Sequence, residues 1–360
     1  MESAVRADGQ DEGRRAAPRA VALWLYVVCA LIFSMVVLGG ITRLTGSGLS
    51  MVEWDPIFGI VPPRSEADWR EVFDKYKASP EYRKVNVGMD LAGFKRIFLV
   101  EYAHRVLGRT IGLVFLIPFL WFWWRRRLPE GFTPKLITVF VLGGLQGLLG
   151  WYMVQSGLVD DPRVSQYRLA AHFMFAVLLY GYILWVALGL WPGRPVRGGP
   201  RGVRLGAAGA LALVLLTMTA GAFVAGLKAG HAWNTFPLME DRLVPEGLLA
   251  LEPAWRNFFE NPMTVQFQHR VLGLLTLAAL LALWLARRRL EGPARRVLNL
   301  LAVVGVAQVG LGIATLLLVV PVPLASTHQA GALILFTALV VLHNRLHAAR
   351  LRESMPARRN

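Results

Sequence analysis

The sequence predicts an all-α membrane protein whose eight transmembrane helices form two pseudo-symmetric four-helix bundles, a parallel repeat with both termini in the cytoplasm. Three observations predict it: eight apolar blocks nearly free of charge, basic residues gathered in every second connection, and motifs of the first half that recur in the second. The blocks are 21–41, 111–124, 136–152, 169–190, 203–224, 271–286, 297–320 and 330–342. They are apolar all round, whereas a soluble helix carries one apolar stripe. A span needs about 20 residues. The second block must therefore extend back to about Ile97, and the other short blocks must also borrow flanking residues.

A net charge of +16 over 360 residues could suggest a nucleic-acid partner, but its placement excludes that reading. Arg14, Arg15 and Arg19 precede the first block, and Arg125, Arg126, Arg127 and Lys135 separate the second from the third. Arg194, Arg197, Arg201 and Arg204 fall between the fourth and fifth, and Arg287, Arg288, Arg289, Arg295 and Arg296 between the sixth and seventh. Arg345, Arg350 and Arg352 follow the eighth. This is the positive-inside pattern. Trp24, Trp121, Trp123, Trp124, Trp191 and Trp284 fall at the same inner ends, as an aromatic belt would. Residues 1–20 mix both charges and read as a cytoplasmic tail, not a signal peptide. Cys29, the single cysteine, lies within the first span, so no disulfide or Cys-rich metal site is expected.

The repeat defines the domains. His104-Arg-Val-Leu-Gly108 recurs as His269-Arg-Val-Leu-Gly273, and Gln146 with Gly150 recurs as Gln308 with Gly312. His172 and His328 open the fourth and eighth spans. Four helices per repeat leave both halves in one orientation, related by an axis along the membrane normal. The expected units are bundles at 21–191 and 203–347, joined by a Gly-, Pro- and Arg-rich linker at 192–202 and followed by a tail at 348–360. Two long outer loops, 44–96 and 227–262, are expected to cover sites opening outward. A short surface helix is expected at 67–77.

His104, His172, His269 and His328 begin spans that all run from outside to inside, so they lie at similar depth near the outer face. One histidine near a helix end is commonly an interfacial hydrogen-bonder. Four, on alternate helices and in repeat-related pairs, point instead to ligation, because intramembrane ionisable groups are expensive. Two facing imidazoles can hold a haem iron in a bundle core. Bare copper or zinc would want further carboxylate, Cys or Met ligands. Arg105 and Arg270 either pair with haem propionates or snorkel as anchors. Glu101, one turn outward of His104, is matched by neutral Gln266 before His269. The half with Glu101 is thus the candidate for chemistry through proton transfer or charge stabilisation, and the other for electron transfer or a structural haem.

Gly46-Ser-Gly-Leu-Ser-Met51 with Trp54-Asp-Pro56, Glu101-Tyr-Ala-His-Arg105, Asn234-Thr-Phe-Pro-Leu-Met239, Gln266-Phe-Gln-His-Arg270 and Ser326-Thr-His-Gln-Ala330 together resemble the haem A synthase family. The resemblance runs from about Leu23 to His347. It implies oxidation of the C8 methyl of haem O, through a hydroxymethyl intermediate, to the formyl of haem A. It implies that His104 and His172 hold the substrate haem, that Glu101 acts in the chemistry, and that haem b sits between His269 and His328. It also implies a bacterial inner-membrane location with the haem sites toward the periplasm, haem O synthase as donor and cytochrome oxidase assembly factors as acceptors. Some members carry paired loop cysteines, which this chain lacks. Two other readings stay open: a dihaem cytochrome b-type electron carrier, and a transporter built on a parallel repeat.

The topology is testable. On a Cys29→Ser background, cysteines placed near Asp160 and Trp233 should react with an impermeant thiol reagent from outside the cell. Labelling only after permeabilisation would overturn the inside-outside assignment.

Overall fold

The structure is a computed structural model that describes residues 2–53, 61–190, 200–290 and 292–353. The expected linker at 192–202 lies almost wholly outside the described residues, as do Trp191, Trp54-Asp-Pro56 and the tail beyond 353. In chain order the helices are α1 (Glu2–Leu44), α2 (Glu66–Lys77), α3 (Pro80–Lys84), α4 (Leu91–Trp124), α5 (Phe132–Gln155), α6 (Gln166–Leu190), α7 (Arg201–Gly226), α8 (Asn257–Glu260), α9 (Pro262–Leu285), α10 (Gly292–Leu317) and α11 (Val322–Glu353). Among the described residues, eight helices are long and apolar enough to cross a membrane. These are α1 from Pro18 onward, α4, α5, α6, α7, α9, α10 and α11. Residues expected to form an N-terminal tail are instead helical from Glu2, continuous with the first span.

The spans pack through small residues and shape, as helices in lipid must. α1 lies against α4, α6 and α11, and α5 touches α4 and α6. α7 lies against α6, α9 and α11, and α10 bridges α9 and α11. The shared interior is therefore built from α1, α6, α7 and α11, with Leu25, Ile183, Ala207, Leu339 and Leu342 deeply buried. Gly181 lets the Phe336 ring approach α6 so closely that a Cβ there would stand 2.7 Å from it. Tyr180 and Thr337 share a hydrogen bond of 2.8 Å across the same contact. Outward-facing Ile117, Leu148, Leu216 and Val303 stay exposed, as residues facing lipid acyl chains should.

Trp24 departs from the expected belt. It is buried, its indole N–H donates to the Val114 carbonyl (2.8 Å), and its ring packs on Phe115 and Phe122. A tryptophan that finds both apolar neighbours and an acceptor inside the bundle gains nothing from the interface. Trp121, Trp123 and Trp124 are exposed.

The second span also starts earlier than expected, at Leu91 rather than near Ile97. Asp90 caps it by accepting the Gly93 N–H (2.7 Å). The added turns carry Phe94, which with Phe98 just beyond them packs against Trp69, Phe73 and Tyr76 of α2. This outer cluster is a small core of its own. α2 opens with a Ser65/Asp68 capping box, one residue earlier than expected. In the second outer loop, Asn261 caps α9 and its amide donates to the carbonyl of Gly247 and to Asn257 Oδ1. The Asn257 amide binds the carbonyls of Leu251 and Ala254, so the polar backbone of this loop is largely satisfied from within.

Glu81 is buried under the first loop, where the Tyr76 hydroxyl donates to it (3.2 Å) and Asn86 donates to that hydroxyl (2.7 Å). Burial pushes its carboxyl up from 4.5 to about 7. A group whose folded value is raised stabilises fully below pH 4.5, and that contribution is lost as pH rises toward 7. Protease protection of the 66–90 segment should accordingly weaken between those values. In Glu81→Gln that slope should flatten; an unchanged slope would remove Glu81 as its source.

Candidate functional site

Each of the four histidines sits in a gap made by a glycine on the helix before it. A Cβ built on Gly39 of α1 would come within 3.0 Å of His104 Cε1, and one on Gly150 of α5 within 2.8 Å of His172 Cε1. In the second half, Gly221 of α7 stands against His269 at 3.0 Å and Gly312 of α10 against His328 at 2.8 Å. Only glycine leaves room for an imidazole this close to a helix backbone. The sequence repeat had picked out Gly150 and Gly312 without their purpose, and it passed over Gly39 and Gly221.

The glutamines of the repeat serve the same rings. Gln146 Nε2 lies 3.1 Å from His172 Nδ1 and donates to the His172 carbonyl (3.1 Å), and Gln308 donates to the His328 carbonyl (2.7 Å). His269 Nδ1 lies 3.1 Å from the Thr217 carbonyl. Donating its Nδ1–H there leaves Nε2 free as a ligand. The His269 and His328 rings face each other with centroids 6.3 Å apart and planes at 89°. Metal–nitrogen bonds of about 2 Å on each side, with about 1 Å from nitrogen to centroid, span roughly that distance. Among the described residues, buried polar atoms lacking a hydrogen-bond partner include His104 Nδ1, Gln146 Oε1, Arg270 Nε, Gln308 Oε1 and His328 Nδ1. Such orphans are costly, and these belong to the two histidine pairs and the residues that serve them. Among the described residues, no three His, Cys, Asp or Glu side chains converge on one point. Two axial imidazoles per site fit a haem iron, whose other four positions the porphyrin fills.

Around each pair the outer loop is tied to the helix that carries the first histidine. Glu101 is buried and its carboxylate accepts four hydrogen bonds. Ser50 Oγ (2.7 Å) and Met51 N (2.8 Å) donate to Oε2, and Arg105 donates to Oε1 through Nε (3.1 Å) and Nη2 (2.7 Å). Arg105 also donates to the carbonyls of Met51 and Glu53. In the second half, Gln266 donates to the carbonyls of Ala229 and Ala232 and accepts from Arg270 (2.7 Å). Arg270 binds the carbonyls of Trp233 and Thr235. The two arginines, expected at propionates or as anchors, hold backbone carbonyls of the loops. Glu101, the candidate for proton transfer or charge stabilisation, is held between Arg105 and the backbone of the first loop.

Arg43 was not singled out in the sequence. It lies one turn outward of Gly39 and donates to the Ala225 carbonyl of α7 (3.1 Å). An almost wholly apolar groove of about 410 Å³, lined by Leu145, Leu148, Leu149, Tyr152 and Phe175, flanks Gly150.

Residues 22–340 match the family model COX15-CtaA, described as cytochrome oxidase assembly protein. The chain is 52% identical to the heme A synthase of Nitrosospira multiformis, over 92% of this chain and 94% of that protein. It is 50% identical to the heme A synthase of Parvibaculum lavamentivorans, over 89% and 92% of the two chains. With the heme A synthase of Paramagnetospirillum magneticum the identity is 46%, over 96% and 99%.

The glycine gaps can be tested without touching a ligand. Gly312→Ala should push His328 aside at a packing cost of about 1–3 kcal/mol, and the purified protein should lose Soret absorbance. Gly310→Ala, where a Cβ meets nothing within 4 Å, should leave the spectrum unchanged. Equal spectra for both variants would dismiss the gap as irrelevant to ligation.

Proposed function

The chain belongs to the COX15-CtaA family of cytochrome oxidase assembly proteins, and from that premise we propose that it converts haem O to haem A by oxidising the C8 methyl group to a formyl group through a hydroxymethyl intermediate. The observation that carries the reading is the set of two glycine-backed histidines in each half, with a buried carboxylate, paired to Arg105, one turn from the first histidine in only one half. The matched glycine gaps and the matched arginine clamps support a parallel repeat, with bundles at 21–191 and 203–347 related by an axis along the membrane normal. The charge alternation supports cytoplasmic termini and histidines toward the periplasm of a bacterial inner membrane.

His104 and His172 are proposed to hold the iron of substrate haem O in the first half, and His269 and His328 to hold haem b in the second. When bound, haem b supplies a one-electron relay. The protein's own contributions are positional. Four glycines set the depth of the imidazoles, Thr217 fixes the His269 tautomer, and the clamped outer loops keep water away from the outer edge of each site. Glu101 contributes a fixed negative charge that favours positive charge developing on the substrate. Haem O synthase is the proposed donor, and cytochrome oxidase assembly factors are the proposed acceptors.

The natural contrast between the halves supplies the test. Glu101→Gln keeps the oxygen that accepts from Arg105, as Gln266 does from Arg270. Its amide loses the Met51 N–H as a partner, a local cost of about 1–3 kcal/mol. The variant should still insert and keep haem b in the second half. Losing one electrostatic stabiliser costs on the order of 3 kcal/mol, about a hundredfold in rate. Extracted pigment should then contain haem O or its hydroxymethyl derivative and little haem A. Wild-type haem A yields from this variant would strip Glu101 of its role, and extracts holding only haem b from the wild type would favour a dihaem electron carrier.

A further inference from the structure

Arg43 lies at the outer end of the first span, half-buried between the two halves. Its position is fixed by two turns of helix. Gly39, four residues earlier on α1, backs His104, and Gly221, four residues before Ala225 on α7, backs His269. The hydrogen bond from Arg43 Nη1 to the Ala225 carbonyl, at 3.1 Å, therefore joins points one turn above each of the two sites, at the seam between the halves. Ala225 stands to Gly221 as Arg43 stands to Gly39. The second half has no arginine of its own at this place. Among the described residues no ion pair includes Arg43, and one carbonyl occupies only one of its five N–H donors. A guanidinium held between spans without an anion is expensive. The other arginines near the histidines, Arg105 and Arg270, spend donors on Glu101 and loop carbonyls.

We propose that Arg43, contributed by the first half, binds a propionate carboxylate of the haem held between His269 and His328. The proposal rests on the haem reading given above. A planar fork of donors suits a carboxylate, and propionates turn toward the polar end of a membrane site. A cation beside a haem also favours its ferrous form, because reduction removes one positive charge.

The test uses the full-length protein in detergent, with haem b and haem b dimethyl ester as probes. The wild type should bind haem b more tightly than the ester. Arg43→Gln should weaken haem b binding about tenfold or more, bind the ester as before, and lower the midpoint potential of the low-spin haem. Arg43→Lys, which keeps the charge but not the fork, should recover most of the potential and only part of the affinity. If Arg43→Gln does not fold, Arg43→Lys decides: wild-type discrimination between the two probes overturns the proposal, and reduced discrimination upholds it. Unchanged potential and discrimination in Arg43→Gln would mean that Arg43 only caps the carbonyl end of α7. A wild type that binds neither probe would overturn the haem reading itself, a result separate from either of these.

Discussion

The structure depends on how near an imidazole can come to the backbone of a neighbouring helix. At Gly39, Gly150, Gly221 and Gly312 the ring occupies the volume where a β-carbon would stand. Each contact fixes the spacing and rotation of two spans together. A ring held this way has few rotamers left, so it meets a ligand at little entropic cost. The same gaps explain why the histidines can be buried among apolar helices. The Nδ1 edge of His269 is met by the Thr217 carbonyl and that of His172 by Gln146, while Gln308 holds the His328 backbone.

Much of this was legible in the sequence because hydrocarbon imposes simple rules. Eight charge-poor blocks became eight spans, and the four histidines fell on alternate spans, each in the N-terminal half of its helix. Other features were not legible because they depend on contacts between residues far apart in the chain. Trp24 left the expected belt because Val114, ninety residues away, offers an acceptor. α4 began early because aromatic residues of a loop helix cover its first turns. Glu101 and Arg105 read as neighbours of a haem, but their main partners are Ser50, Met51 and Glu53, which no periodicity connects to them. Arg43 escaped notice because the carbonyl it binds, that of Ala225, lies 182 residues further along.

At the residue three before the first histidine, the two halves of the sequence differ by one side-chain atom. Glu101 and Gln266 occupy matched places, and each accepts a hydrogen bond from the arginine four residues later. Where the amide nitrogen of Gln266 donates to carbonyls of its loop, the second carboxylate oxygen of Glu101 accepts from a hydroxyl and an amide of its own. Exchanging oxygen for nitrogen therefore reverses the polarity required of the loop. The loops differ in sequence accordingly, and neither could be grafted onto the other half without leaving buried donors or acceptors unmatched.

The outward extension of α4 gives that helix a mechanical character the other histidine-bearing spans lack. From Leu91 to His104 it is one uninterrupted rod, with its far end gripped by Phe73 and Tyr76 in the outer cluster. The packing of Phe94 and Phe98 and the seating of His104 against Gly39 are thus set on one continuous helix, so the loop cluster shares in fixing the rotation and height of that imidazole.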